Sequence, residues 1–316
     1  MRPLSRRAAW QPSKPVEFIV TSGPGGGTDT FARTVQSIIA KHKLMDQPAV
    51  VQNKGGGSGA EGFVYSKTNA ADPHKVTFAT NNEYLLPLVA KLAFKPEDLK
   101  PVAAMALDEF LIWVHSNSEF KDAKSYIEAA KAKPGTYKMG GSQSKDTDQT
   151  LVSLIEGATG AKFIYVPFKG GGDAAVQLAG GHTESNTNNP NENIGQWKGG
   201  LVRPLCVFSP TRLPAGPKVT ETMSWSDIPT CKESGIPMEH FQMPRTMWVS
   251  DKSPQDVVDY YAGVMAKVRE TPEWKEYIER TSQTDRFLVG DDLKRFIADD
   301  EAKNRSVFEK EGWIVR

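Results

Sequence analysis

The sequence predicts an α/β protein built as two lobes. Three observations carry that expectation. Short β-branched runs alternate with stretches of helical periodicity. Several of those runs end in glycine clusters that open a helix. The device of strand, glycine loop and helix occurs near the start as G-P-G-G-G-T-D and again in mid-chain as F-K-G-G-G-D. Two such units suit a cleft between lobes, and 316 residues are enough for about two domains.

The elements follow in order. Val16–Thr21 reads as a strand buried on both faces, broken by Gly23-Pro24-Gly25-Gly26-Gly27. A helix then starts near Thr28 or Asp29, either of which suits its cap, and Phe31, Val35, Ile38 and Ile39 share one face. Pro48–Gln52 is a second strand, and Gly55 to Gly59 leads into a helix from Ala60. Val76–Thr80 is a third strand, ending at Asn81-Asn82. Phe110–His115 is a strand, Lys124–Lys133 a helix, and Tyr137–Gly140 a strand entering Gly141-Ser142-Gln143-Ser144. Thr147–Gly157 is helical. Phe163–Pro167 is a strand that stops at Phe168-Lys169-Gly170-Gly171-Gly172, with Asp173 opening a helix through Ala179. Leu201–Phe208 carries Pro204, which marks an edge or bulged strand. Ser209–Pro237 is a long connector, and the last 60 or so residues read as mainly helical.

Composition narrows the function. Lys plus Arg number 39 and Asp plus Glu 38, a net charge of +1, which provides no broad field for nucleic acid or an anionic membrane. No window reaches the roughly 18 apolar residues of a membrane span. The start, with Arg2, Arg6 and Arg7, resembles the basic region of an export signal without its apolar stretch. That leaves a cytoplasmic chain or a removed signal. Cys206 and Cys231 fit no zinc motif, and the residues alone allow a bridge or two buried thiols.

The glycine loops expose unpaired N–H groups and the positive end of a helix dipole, a natural seat for an anion. Nucleotide fingerprints fail: no glycine precedes Lys-Ser or Lys-Thr at phosphate-loop spacing, and Thr28 stands where a dinucleotide loop needs its third glycine. Gly55, Gly57 and Ala60 make only a weak G-x-G-x-x-A. Ser58 lacks the second glycine of a nucleophile elbow. The five histidines are scattered, and nothing asks for a metal or other cofactor. A small carboxylate is the ligand these loops suit, and tight strand-to-helix turns are the plain structural alternative.

The segments F-I-V-T-S-G-P-G-G-G-T-D-T-F-A-R, V-V-Q-N-K-G-G-G-S-G-A-E-G and V-P-F-K-G-G-G-D-A-A-V-Q-L-A-G-G-H, in that order, resemble the Bug or TctC family. These are extracytoplasmic solute-binding proteins of tripartite tricarboxylate transporters. The resemblance runs from about Pro15 to the end. It implies a periplasmic-binding-protein fold, two α/β lobes around a ligand cleft joined by two crossovers. It also implies periplasmic location, a carboxylate ligand, membrane components of the transporter as partners, a monomer, and no catalysis. Residues 15–115 with 241–316 would form one lobe and 116–240 the other. By the family pattern, Pro24, Gly25, Gly26, Gly27, Thr28 and Asp29 face Lys169, Gly170 and Gly171 across the ligand, with Thr80, Asn81, Asn82, Ser142, Gln143 and Ser144 lining the cleft. Asn188 and Asn189 stand where the family carries an Asp-Asn pair, and Arg245 lies where the chain returns to the first lobe. In an oxidising periplasm Cys206 and Cys231 would be bridged. Asp146-Thr147-Asp148-Gln149 departs from the family's usual residues after the central turn, as does Met243–Trp248. The competing readings are an enzyme using the same anion loops and a ligand-sensing domain of a transcription regulator. The first lacks an evident acid/base pair or nucleophile. The second lacks room for a DNA-binding segment before the first strand.

Overall fold

The computed structural model describes residues 9–315, so the arginines at positions 2, 6 and 7 lie outside the described residues. In chain order, β1 (Val16–Val20) leads into α1 (Gly27–His42), β2 (Ala49–Asn53), α2 (Ala60–Thr68), β3 (Lys75–Ala79), α3 (Asn82–Val89) and β4 (Leu99–Glu109). The second half of the α/β pattern runs through β5 (Leu111–His115), α4 (Ala123–Ala132), β6 (Lys138–Ser142), α5 (Thr147–Thr159), β7 (Ile164–Phe168) and α6 (Gly171–Ala179). Then come β8 (Ser185–Asn186), α7 (Pro190–Lys198) and β9 (Val202–Val207). A long connector returns to β10 (Gln242–Ser250), α8 (Gln255–Glu270), α9 (Pro272–Thr281), β11 (Thr284–Leu288) and α10 (Gly290–Lys310).

These strands form two sheets. The first has the order β11-β4-β10-β3-β1-β2 and the second β7-β6-β8-β5-β9. In each, parallel strands carry the strand–loop–helix units: β2, β1 and β3 in one, β7, β6 and β8 in the other. Antiparallel strands complete both sheets. Each sheet has its own buried core. Phe18, Phe31 and Phe78 meet in the first, with Phe18 and Phe78 ring centroids 4.6 Å apart. Phe110, Ile112, Tyr126 and Ile155 anchor the second.

Several expectations are corrected here. The lobe boundary at 115 is too late: β5 pairs with β8 and β9, so the chain changes sheet at Phe110, immediately after β4. β4 itself has no counterpart in the sequence reading, because Ala103, Ala104 and Ala106 lack the branched side chains that mark strands. Burial between helices and two neighbouring strands holds them extended. β10 also has no counterpart in the sequence reading, while the last 60 or so residues are mainly helical as expected, with β11 between α9 and α10. Neither Thr28 nor Asp29 caps α1: Gly26 is the cap, in extended conformation, and Asp29 lies in the first turn. β9 is an edge strand, as Pro204 requires. Cys206 on β9 is disulfide-bonded to Cys231 in the connector.

Candidate functional site

Helices α1, α3, α5, α6 and α7 all begin at one small cavity of about 30 Å³ between the two sheets. Gly27 and Thr28 enter from α1, Asn82 from α3, Thr147 and Asp148 from α5, and Gly171 from α6; Asn189 and Glu192 enter from α7. The volume is close to that of one water molecule, so the cleft is shut. Helix starts carry unpaired N–H groups and partial positive charge, so this convergence makes an anion seat. The N–H groups of Thr28 and Gly171 donate to no described residue. A larger cavity, about 580 Å³, lies among Lys198, Pro214, Trp225 and Lys275. None of the glycine clusters singled out from the sequence lines it, and the chemistry described above belongs to the smaller one.

Glycine is needed where the two walls meet. A Cβ on Gly27 would overlap the Arg245 guanidinium, and one on Gly171 would overlap the Glu192 carboxyl. A Cβ on Gly172 would come within 2.9 Å of the Gly25 backbone across the cleft. Gly141 is likewise pressed by Asp148 and Tyr165, each 2.7 Å from the position of its missing Cβ. The Tyr165 hydroxyl donates to the carbonyls of Ser142 (3.1 Å) and Gln143 (2.8 Å) and fixes that turn. Gln143 sits there at φ 62°, in the left-handed region that non-glycine residues enter at a cost.

Arg245 on β10 is the buried cation of the site, 2% exposed. It is ion-paired through Nε to the fully buried Asp108 on β4. Its Nη1 donates to Thr28 Oγ1 (3.0 Å) and its Nη2 to Asn189 Oδ1 (3.2 Å). Asp108 also accepts from Gln283 Nε2 at 2.6 Å. One guanidinium thus ties the start of α1 to the start of α7 across the cleft. Its charge is committed to Asp108, and such a pair is costly to break from one side.

Glu192 occupies the seat expected for a ligand carboxylate. Its Oε1 accepts the Gly27 N–H at 3.0 Å, while Oε2 accepts the Asn189 N–H at 3.0 Å in a capping box. Burial raises the Glu192 carboxyl above its ordinary value against the opposing pull of Arg245. Asp146 is pushed up to about 6 by burial, partly offset by hydrogen bonds from Thr147. Asp148 is held well above the carboxylate range by burial and by the nearby charges of Glu192 and Asp146.

Of the residues singled out from the sequence, Gly26, Gly27, Thr28, Thr80, Ser142, Gln143, Gly170, Gly171, Asn189 and Arg245 line this cavity. Pro24, Gly25, Asn81, Ser144 and Lys169 do not. Asp29 turns away: it accepts the Gly25 N–H at 3.0 Å and pairs with Arg33. Asn81 accepts from Thr147 Oγ1 (2.7 Å) and donates to Asp300, so it braces the helix starts from behind. Asn188 is fully buried and donates to the Gly171 carbonyl (2.7 Å) and Asn193 (2.6 Å), fixing the start of α6. Asn82, at the strand end singled out with Thr80, lines the cavity as well, whereas Thr21, Ser22, Asp146, Thr147, Asp148, Glu192 and Met243 line it and were missed. Glu192 had a signal: it lies three residues after Asn189, the spacing of a capping box before a helix.

Two sheets facing each other across a cleft ringed by helix starts have the plan of a solute-binding receptor. The family model described as the tripartite tricarboxylate transporter family receptor, TctC, matches residues 31–313, and the chain belongs to that family. Among its relatives is BugT of Bordetella pertussis, 28% identical over 217 residues, 66% of this chain and 66% of that protein. A solved structure described as a periplasmic transporter aligns with TM-score 0.86 at 26% identity, covering 95% of this chain and 98% of its own. An R. palustris protein solved with adipate shares the fold, with TM-score 0.87 at 22% identity over 95% of this chain and 98% of that one. Among the described residues no helix is long and apolar enough to cross a membrane.

Proposed function

We propose that this chain captures a small carboxylate between its lobes in the periplasm and delivers it, as a monomer, to the membrane components of a tripartite tricarboxylate transporter. The observation that carries the reading is the meeting of five helix starts around Arg245, with the Thr28 and Gly171 N–H groups free to donate. Charge-assisted hydrogen bonds from such groups are worth roughly 1.5–3 kcal/mol each. Family membership supports the transporter as destination, and the fold neighbour solved with adipate supports a carboxylate as cargo.

The lobes would part at the two crossovers to admit the ligand and shut over it. A ligand that touches both walls only in the shut form shifts the equilibrium by what it gains there. A thermal-shift screen against mono-, di- and tricarboxylates tests the reading. Binding specific to the folded state stabilises by RT ln(1 + [L]/Kd), about 2.7 kcal/mol at a hundredfold excess over Kd. Silence across all carboxylates, with a response to nucleotides, would overturn it.

A further inference from the structure

We infer that Glu192 is a specificity-determining residue: it fills one anion position of the cleft with the protein's own carboxylate, so the cleft selects a ligand with one carboxylate over di- and tricarboxylates. This rests on the carboxylate reading above and deepens it. Four observations support it.

The first is occupancy. Glu192 comes from α7, beside the second sheet, yet its Oε1 takes the Gly27 N–H of α1, beside the first, at 3.0 Å. That is the donor a ligand carboxylate would need at this helix start. The second is fit. Gly171 is bare where the Glu192 carboxyl lies, and any Cβ there would overlap it. The α6 glycine therefore makes room for this internal carboxylate.

The third is charge. Around the cavity, Asp146, Asp148 and Glu192 are the acids, and Arg245 is the cation, already ion-paired with Asp108. Asp148 is 6% exposed, and Thr187 is the sole described side chain that hydrogen-bonds to it, at Oδ1 (3.1 Å). Among the described residues the Asp146 carboxyl accepts only from Thr147, again at Oδ1. A second ligand carboxylate would meet carboxyl oxygens and no uncommitted cation, so its buried charge would go uncompensated. The fourth is what stays open. The Thr28 and Gly171 N–H groups have no described partner, enough for one carboxylate. The rest of the cavity wall, with Asp146 and Asp148, holds no second cation for another ligand carboxylate.

The test compares pentanoate, glutarate and 5-aminopentanoate by isothermal titration on the wild-type chain, Glu192→Gln and Glu192→Ala. The wild type is expected to bind pentanoate or 5-aminopentanoate at least about tenfold more tightly than glutarate. Glu192→Ala should shift the glutarate-to-pentanoate ratio toward glutarate by at least about tenfold. Glu192→Gln keeps the side chain's size and should shift it less, guarding against a folding defect in the alanine variant. A wild type that prefers glutarate, or a ratio unchanged in both variants, overturns the inference and leaves the carboxylate reading standing. Silence of all three proteins toward all three probes overturns the inference, and the wider screen above decides the carboxylate reading.

Discussion

At the scale of single residues, neighbouring glycines carry different duties that spacing cannot reveal. Gly26 would accept a Cβ at ordinary contact distances, its nearest neighbour being the Gly23 carbonyl at 3.5 Å. One residue on, a Cβ at Gly27 would displace the Arg245 guanidinium from beside Asp108. We expect Gly26→Ala to change stability by less than about 0.5 kcal/mol. Gly27→Ala should cost on the order of 3 kcal/mol, because an uncompensated buried charge remains. Urea denaturation of both variants checks the pair, and equal losses would refute the distinction. The sequence made the whole glycine loop visible as an anion seat. Which N–H is already used depends on Glu192, more than 160 positions away, and no local pattern carries that.

At the scale of elements, the strand–loop–helix units were legible because each places its signal in one short run: branched residues, then glycines, then an apolar stripe. β4, β10 and β11 were not, because alanine, proline and polar residues in these strands are extended by their neighbours rather than by propensity. Asn188 and Asn189 were singled out as a pair; the structure turns Asn188 inward with Asn193 as hydrogen-bonding struts and leaves Asn189 at the cavity. The start of α6 bears on closure. With Gly172 against the Gly25 backbone, Gly172→Ala should keep the walls apart by steric contact at 2.9 Å. We expect a loss of ligand affinity of about tenfold or more, near 1.4 kcal/mol, with the melting temperature of the empty protein little changed. Calorimetry with whichever carboxylate the screen selects measures it, and unimpaired affinity would show that the walls do not need this approach.

At the scale of the molecule, two long-range features govern stability. The Cys206–Cys231 bridge closes a loop with a sequence separation of 25 in the connector. The chain-entropy model assigns such a bridge about 3 kcal/mol, so the double Cys→Ala variant should lose about that much in urea denaturation. A loss well under 1 kcal/mol would mean the connector is ordered without it. Glu109 is the second feature, a buried acid at the crossover whose burial pushes it up to about 7 despite bonds from Gln242 and Thr284. A carboxyl whose folded value lies above its unfolded one holds extra protons when folded. Stability therefore falls as pH rises from about 4.5 to 7 and stays reduced above that. Glu109→Gln should raise the melting temperature more at pH 8 than at pH 5, and an equal change at both would reject this assignment. The two-lobe plan was legible in the repeated glycine device, and the resemblance supplied the cleft. The crossing point was not legible, because β4 gave no strand signal and only Phe110 separates it from β5.

That crossing has a mechanical consequence. Glu109 and Gln242, the last residue of one crossover strand and the first of the other, are register partners. Just beyond them the rings of Phe110 and Phe241 meet edge to face, 5.2 Å between centroids. The two passages between lobes therefore form one strap, not two independent strings. A strap bends readily across its width and resists shear and torsion, which leaves a single soft coordinate. The lobes should open as a book opens about its spine, parting the α1 and α6 loops along one arc. Distances between spin labels on α1 and α6, taken with and without ligand, would then trace that arc as two discrete positions rather than a broad spread.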